Sequence, residues 1–149
     1  MHTKLNITII LLLLLGLLAA CGSAQPETGI PADAALKITG KVANEVGWTE
    51  ETVKAMETIE VESTNKKGET STYTGVPLNK LLEMAQPQAG TATLTLVGDD
   101  GFTSEVPLAD AQACTDCIVS FRNQGGFSMV MPGFDGKAQV KGVVEIQVQ

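Results

Sequence analysis

Ser71-Thr72-Tyr73-Thr74-Gly75-Val76-Pro77-Leu78-Asn79-Lys80-Leu81-Leu82 changes its period half-way along. Ser71 to Tyr73 has the Thr and Tyr content of a strand. Pro77 suits the first position of a helix, where it has no needed N–H to lose. Leu78, Leu81, Leu82 and Ala85 then fall on one helical face. A strand therefore runs straight into a short amphipathic helix. Upstream, Ile59 to Ser63 alternates and turns through Asn65 to Gly68, so it pairs with Ser71 to Tyr73 as a hairpin.

The same reading extends in both directions. Leu36 to Ala43 alternates with β-branched residues and predicts an opening strand. Thr49 caps a short helix that carries Glu50 and Glu51 in its first turn, where the backbone amides favour negative charge. Thr91 to Val97 and Phe102 to Val106 form strands joined by the turn Asp99-Asp100-Gly101. Leu108 to Ala113 gives one or two helical turns. Ile118 to Phe121, Phe127 to Met131 and Gln139 to Val148 complete the strands, with Gly-rich turns between them. Strands outnumber helices and the helices are short. The expected class is α+β, a mixed and mostly antiparallel sheet with short helices.

The first twenty residues have a different character. Lys4 precedes an apolar run from Ile7 to Leu18, and small residues follow at Ala19 and Ala20. Charge, apolar core and small-residue cleavage site stand in the order of a secretory signal. The run is shorter than the roughly 20 residues a spanning helix needs. Leu18-Ala19-Ala20-Cys21 matches the lipobox of bacterial lipoproteins. That resemblance implies a diacylglyceryl group on the Cys21 thiol and an acyl chain such as palmitate on the new amino terminus. Two or more chains anchor stably where one does not. The expected organisation is a lipoprotein signal peptide over 1–20, a lipidated Cys and flexible tether over 21–35, and one domain over 36–149. The tether is read from the small, polar and Pro-containing residues Gly22 to Ala35. The domain is expected outside the cytoplasm, on the cell envelope, with the membrane as a partner through the lipid.

Removal of the signal leaves nine cations against seventeen acids, a formal charge of −8. Such a balance argues against nucleic acid and against an electrostatic grip on anionic lipid. The one histidine, His2, leaves with the signal. The remaining chain then lacks the commonest metal ligand and general base, which removes many enzyme classes.

Several segments together resemble a known family. They are Ile38-Thr39-Gly40-Lys41-Val42 with Trp48, Tyr73-Thr74-Gly75-Val76-Pro77-Leu78, and Asp100-Gly101-Phe102 with Glu105-Val106-Pro107-Leu108. Met131-Pro132-Gly133 and Val140-Lys141-Gly142-Val143, ending in Ile146, close the series. In order and spacing they are similar to the oxidoreductase molybdopterin-binding domain, the sulfite-oxidase-type fold, over Leu36 to Val148. Each also has a plain structural reading: Gly75 and Gly101 permit positive φ in tight turns, and Pro132-Gly133 is turn chemistry. The resemblance implies a candidate ligand pocket at Tyr73, Gly75, Asp100, Arg122 and Met131. It also implies a molybdenum-ligating cysteine from a loop equivalent to Glu62-Ser63-Thr64-Asn65, where no Cys stands. Arg, His and Lys would grip the pterin phosphate, whereas this domain offers one Arg, Arg122, and no His. The expectation is therefore no cofactor, with molybdopterin as the alternative, and no catalytic or metal-binding residues.

Cys114 and Cys117 form a C-x-x-C. In an exported protein the simpler reading is a structural disulfide. The functional one is thiol–disulfide exchange, against which Asp116 would raise a thiol pKa. Met129 and Met131 share a strand face and, with the thiols, offer soft ligands suited to Cu(I), although Met on a strand face is more simply core. The reading as a whole is a tethered binding or accessory module for a small molecule or an exported protein. Its alternative is a small oxidoreductase that uses molybdopterin or the Cys114–Cys117 pair.

Overall fold

The computed structural model describes residues 29–149, so the expected signal segment and Cys21 lie outside the described residues. Strand β1 (Leu36–Gly40) is followed by β2 (Val46–Trp48) and helix α1 (Glu50–Lys54). Next come β3 (Ile59–Thr64), β4 (Thr70–Pro77), α2 (Leu78–Ala85), β5 (Thr93–Gly98) and β6 (Thr103–Pro107). The series ends with α3 (Leu108–Ala113), β7 (Ile118–Phe121), β8 (Phe127–Val130), a 3₁₀ turn (Gly136–Ala138) and β9 (Lys141–Val148). Among the described residues no helix is long and apolar enough to cross a membrane.

The fold is the expected α+β arrangement, one mixed and mostly antiparallel sheet with short helices. The strands run in the order β2-β1-β9-β8-β7-β4-β3, and β5 joins β9 with β6 beyond it. Strand β9 has three partners. Along one edge it meets β5 from Val143 to Val148; along the other it meets β8 near Lys141 and Val143, then β1 from Glu145 to Val148. The β1–β9 pair is parallel and the rest are antiparallel.

Alternation along the strands sends Leu36, Ile38, Leu94, Leu96, Phe127, Met129, Ile146 and Val148 into one core. Leu78, Leu81, Leu82 and Ala85 of α2 cover it as their spacing predicts. The opposite face of the sheet carries a smaller cluster, Val61, Ile118 and Val130 with Ile59 packed against them. Thr49 caps α1 as expected, its hydroxyl accepting from the Thr52 N–H at 3.2 Å.

Several boundaries differ from expectation. Strand β1 stops at Gly40, whose φ of +95° turns the chain; a Cβ there would run into the Val148 carbonyl oxygen. Pro77 ends β4 in extended geometry, paired with Ile118, so α2 begins one residue later. Strand β2 has no signal in the sequence, since three residues are too few to show a period. Packing also reaches back past the expected boundary at Leu36. The Ile30 side chain and Ala34 lie over Gly47, and the Ala35 N–H donates to the Trp48 carbonyl at 2.8 Å.

Candidate functional site

Strands β4 and β7 run side by side only from Gly75 to Pro77, where Gly75 faces Ser120, Val76 faces Val119 and Pro77 faces Ile118. Gly75 is what lets them meet: a Cβ would strike the Val119 carbonyl oxygen and the Ser120 Cα. It has no positive φ, so its role is close approach of two backbones and not the tight turn expected of it. Gly101 does take the turn geometry, at φ +82°. The register continues from Ser120 to Ser128 on β8 and from Ser128 to Lys141 on β9. A row of small and hydroxyl side chains thus crosses the sheet and ends on a cation. Ser120 is buried, and its hydroxyl donates to the Ser128 carbonyl at 3.0 Å.

Beyond this row the strands part. Strand β7 turns back after Phe121 through Arg122 to Gly126, with the Arg122 N–H on the Gly126 carbonyl at 3.1 Å. Strand β4 extends further, to Thr70. The space left over is an open cleft of about 600 Å³. Thr72, Tyr73 and Thr74 form one wall, and Phe121 to Gln124 form the other, with Ser120, Ser128 and Lys141 completing the lining.

Two ion-paired contacts hold the second wall. The Asp99 N–H donates to the Gly142 carbonyl at 2.7 Å, and its carboxylate fills the space over that glycine and meets the Arg122 guanidinium at 3.6 Å. On the far side, the Glu50 carboxylate accepts from the Gly126 N–H at 3.2 Å and from the Lys54 ammonium at 2.6 Å. The Lys54 hydrogen bond, then the Gly126 N–H, holds the Glu50 carboxyl below its ordinary pKa. Lys141 has no carboxylate partner among the described residues, and the lining contains no carboxylate.

The structure distributes the sequence candidates unevenly. Tyr73 and Arg122 come together at the cleft. Gly75 lies beside it as the β4–β7 contact. Asp100 is in the β5–β6 turn, where its carboxylate accepts from the Phe102 N–H at 2.9 Å, and does not line the cleft. Met131 is fully buried in the main core, as is nearly all of Met129, so neither thioether reaches the cleft. The backbone of Met131 is held on both sides by the Gln139 amide, at 2.9 Å and 2.6 Å. Ser120, Ser128 and Lys141 were not read as site residues. Ser within two otherwise apolar strands was the available signal.

Glu62 to Asn65, where the resemblance implies a metal ligand, is the end of β3 and the start of its hairpin turn. The Asn65 side chain organises that turn, accepting from the Lys67 N–H at 2.8 Å and the Glu69 N–H at 3.1 Å. None of these four residues lines the cleft. The cleft's donor set is hydroxyls, amides, one guanidinium tied to Asp99 and one ammonium. It holds no thiolate or imidazole for a metal, and the described residues contain no group of three or more His, Cys, Asp or Glu that could hold one. These residues do not fit a molybdenum centre bound through cysteine.

Cys114 and Cys117 are joined as a disulfide at the junction of α3 and β7. Cys117 is fully buried, and its carbonyl accepts from the Leu78 N–H at 2.8 Å, so the bridge also fixes the start of α2.

The family model for the oxidoreductase molybdopterin binding domain matches residues 24–149. Among solved structures, the sulfane dehydrogenase SoxCD from Paracoccus pantotrophus is similar, with a TM-score of 0.63 at 20% sequence identity. The match covers 76% of this chain and 37% of that one, so this chain spans little more than a third of its length. At that identity the likeness is one of fold. No curated protein matches this chain.

Proposed function

Because the chain belongs to the oxidoreductase molybdopterin-binding domain family yet brings no thiolate to its cleft, we propose that it is a non-catalytic binding or accessory module. The carrying observation is the donor set. A cleft of hydroxyls and amides with two cations selects and holds a polar, anionic partner. It supplies no metal ligand of the kind the family resemblance implies. The lipobox Leu18-Ala19-Ala20-Cys21 supports a lipid anchor on Cys21, with the domain outside the cytoplasm.

The test is elemental analysis and an absorption spectrum of the protein purified from its native membrane. The expected result is no stoichiometric molybdenum and no pterin fluorophore after acid oxidation. About one molybdenum per chain would overturn the reading and make the chain an oxidoreductase.

A second reading uses the disulfide, and one observation favours it. The Cys114 side is partly exposed, in a hollow shared with Asp110, Pro132, Gly133 and Phe134. A partner dithiol would give two electrons and two protons to the bridge and leave as a disulfide. Asp110 lines the hollow and Asp116 stands between the two cysteines in sequence, and negative charge there disfavours the thiolate this exchange needs.

A further inference from the structure

Resting on the binding-module reading, we infer that the cleft takes an extended, acidic peptide segment of a partner protein, added as a strand along the open edge of β4.

The edge is defined by register. Strand β3 covers one side of β4 from Thr70 to Gly75, and β7 covers the other side only from Gly75. The Asn65 N–H donates to the Glu69 carbonyl, so the odd-numbered residues of β4 point their backbone groups at β3. By alternation, Thr70 and Thr72 point theirs to the other side, where no strand lies. The Leu78 N–H bonded to the Cys117 carbonyl falls on that same side and agrees with this parity. The open stretch from Thr70 to Thr74 is about 13 Å long at a strand's rise per residue, and its Thr72 to Thr74 end forms the wall of the cleft. Unpaired N–H and C=O groups in a row are a template for another strand, which gains hydrogen bonds without needing a particular sequence.

Charge then restricts what the strand carries. The lining has two cations and no carboxylate, although the chain as a whole is acidic at a formal −7. Arg122 is already compensated by Asp99, while Lys141 has no carboxylate partner among the described residues. The floor under Lys141 is Ser120 and Ser128, small enough to leave room for a side chain above them. A Glu or Asp of the added segment meets Lys141 over that floor, and Tyr73, 38% exposed, offers an aromatic surface beside it.

The experiment measures binding of capped synthetic pentapeptides to the full-length protein in detergent, by fluorescence polarisation. The probes are an array with Glu at the centre and every residue except proline around it. Binders are expected, and changing their central Glu to Gln should weaken them about fivefold, the scale of one exposed ion pair. That loss should vanish in Lys141→Gln. N-methylation of alternate peptide nitrogens should cost about tenfold, the scale of one or two ladder hydrogen bonds, with the protein unaltered. Thr72→Pro removes a cleft-facing N–H without touching the β3 ladder and should act the same way. Binding by no peptide, or binding indifferent to Lys141 and to N-methylation, would overturn the inference. Displaceable binding of acetate or sulfate with no peptide preference would also overturn it, while leaving the binding-module reading in place. Stoichiometric molybdenum would instead remove that reading.

Discussion

Gly75 stands where two backbones come closest, and that one residue decides whether β4 can pair with β7. Gly75→Ala should force the strands apart and cost about 1–3 kcal/mol, as overpacking does in well-packed interiors. Urea unfolding monitored by circular dichroism measures the loss; an unchanged midpoint would show that the strands yield freely there. The disulfide is a second residue-scale device. Replacing Cys114 and Cys117 with Ser should cost about 2 kcal/mol or less, because the closed loop is very short. The bridge should also resist a glutathione buffer, since Cys117 is out of reach of solvent. Alkylation and mass spectrometry across a redox titration check this, and a midpoint near about −200 mV would make the pair a redox site. Glu145 is the third. Burial pulls its carboxyl pKa up, but hydrogen bonds from the Thr39 hydroxyl, the Lys37 ammonium and Gln147 outweigh burial and set it below the ordinary value. A lowered folded-state pKa stabilises above the unfolded value, and the contribution is lost as pH falls through the folded one. Stability should therefore be steady at neutral pH and decline on the acid side of the ordinary carboxylate range. Glu145→Gln should flatten that decline in thermal melts taken across the range.

At the scale of elements, the most consequential is β9, whose partners occupy both of its edges. Ile146 sits on it at full burial, opposite Ile38 on β1 and Leu96 on β5. Ile146→Ala should cost about 2–5 kcal/mol, a core deletion with no room to collapse; a loss under about 1 kcal/mol in a denaturant melt would contradict that placement. Most elements were legible because their periods are local. The alternation of Ile59 to Ser63, the stripe Leu78-Leu81-Leu82-Ala85 and the Asp99-Asp100-Gly101 turn each follow from neighbouring residues. The candidate site was less legible, for a physical reason. The cleft exists because β4 is longer than β7 and because Lys141, far along the chain, lands level with Ser128. Neither a strand's surplus length nor a register between distant strands is written in any one segment. Met131 and Asp100 were drawn to the site by motif position, but alternation sends Met131 inward and a local hydrogen bond keeps Asp100 in its turn.

For the molecule as a whole, the proposed lipid attachment and the domain boundary both fall at the amino-terminal end. Cys21→Ser should release the protein from the membrane and leave the signal uncleaved by the lipoprotein peptidase; detergent-phase partitioning of the two forms decides it. Between that cysteine and β1, Ile30 and Ala34 rest on Gly47. A chain trimmed to residue 36 should therefore be less stable than one beginning at residue 29, by about 1 kcal/mol for a half-exposed isoleucine contact, and should melt at a lower temperature. Equal melts would return that segment to the tether.

The three-way role of β9 also bears on timing. A ribosome delivers β9 after the other eight strands, yet β1, β5 and β8 meet only through it. Until residues 141–148 emerge, β1 and β5 lack the strand that joins them to β8, and the parallel β1–β9 pairing closes a loop of nearly the entire domain. Such non-local closure is slow and cannot begin on a partial chain. The complete sheet therefore closes only after β9 has been made, while hairpins such as β3–β4 and β5–β6 are free to pair before it.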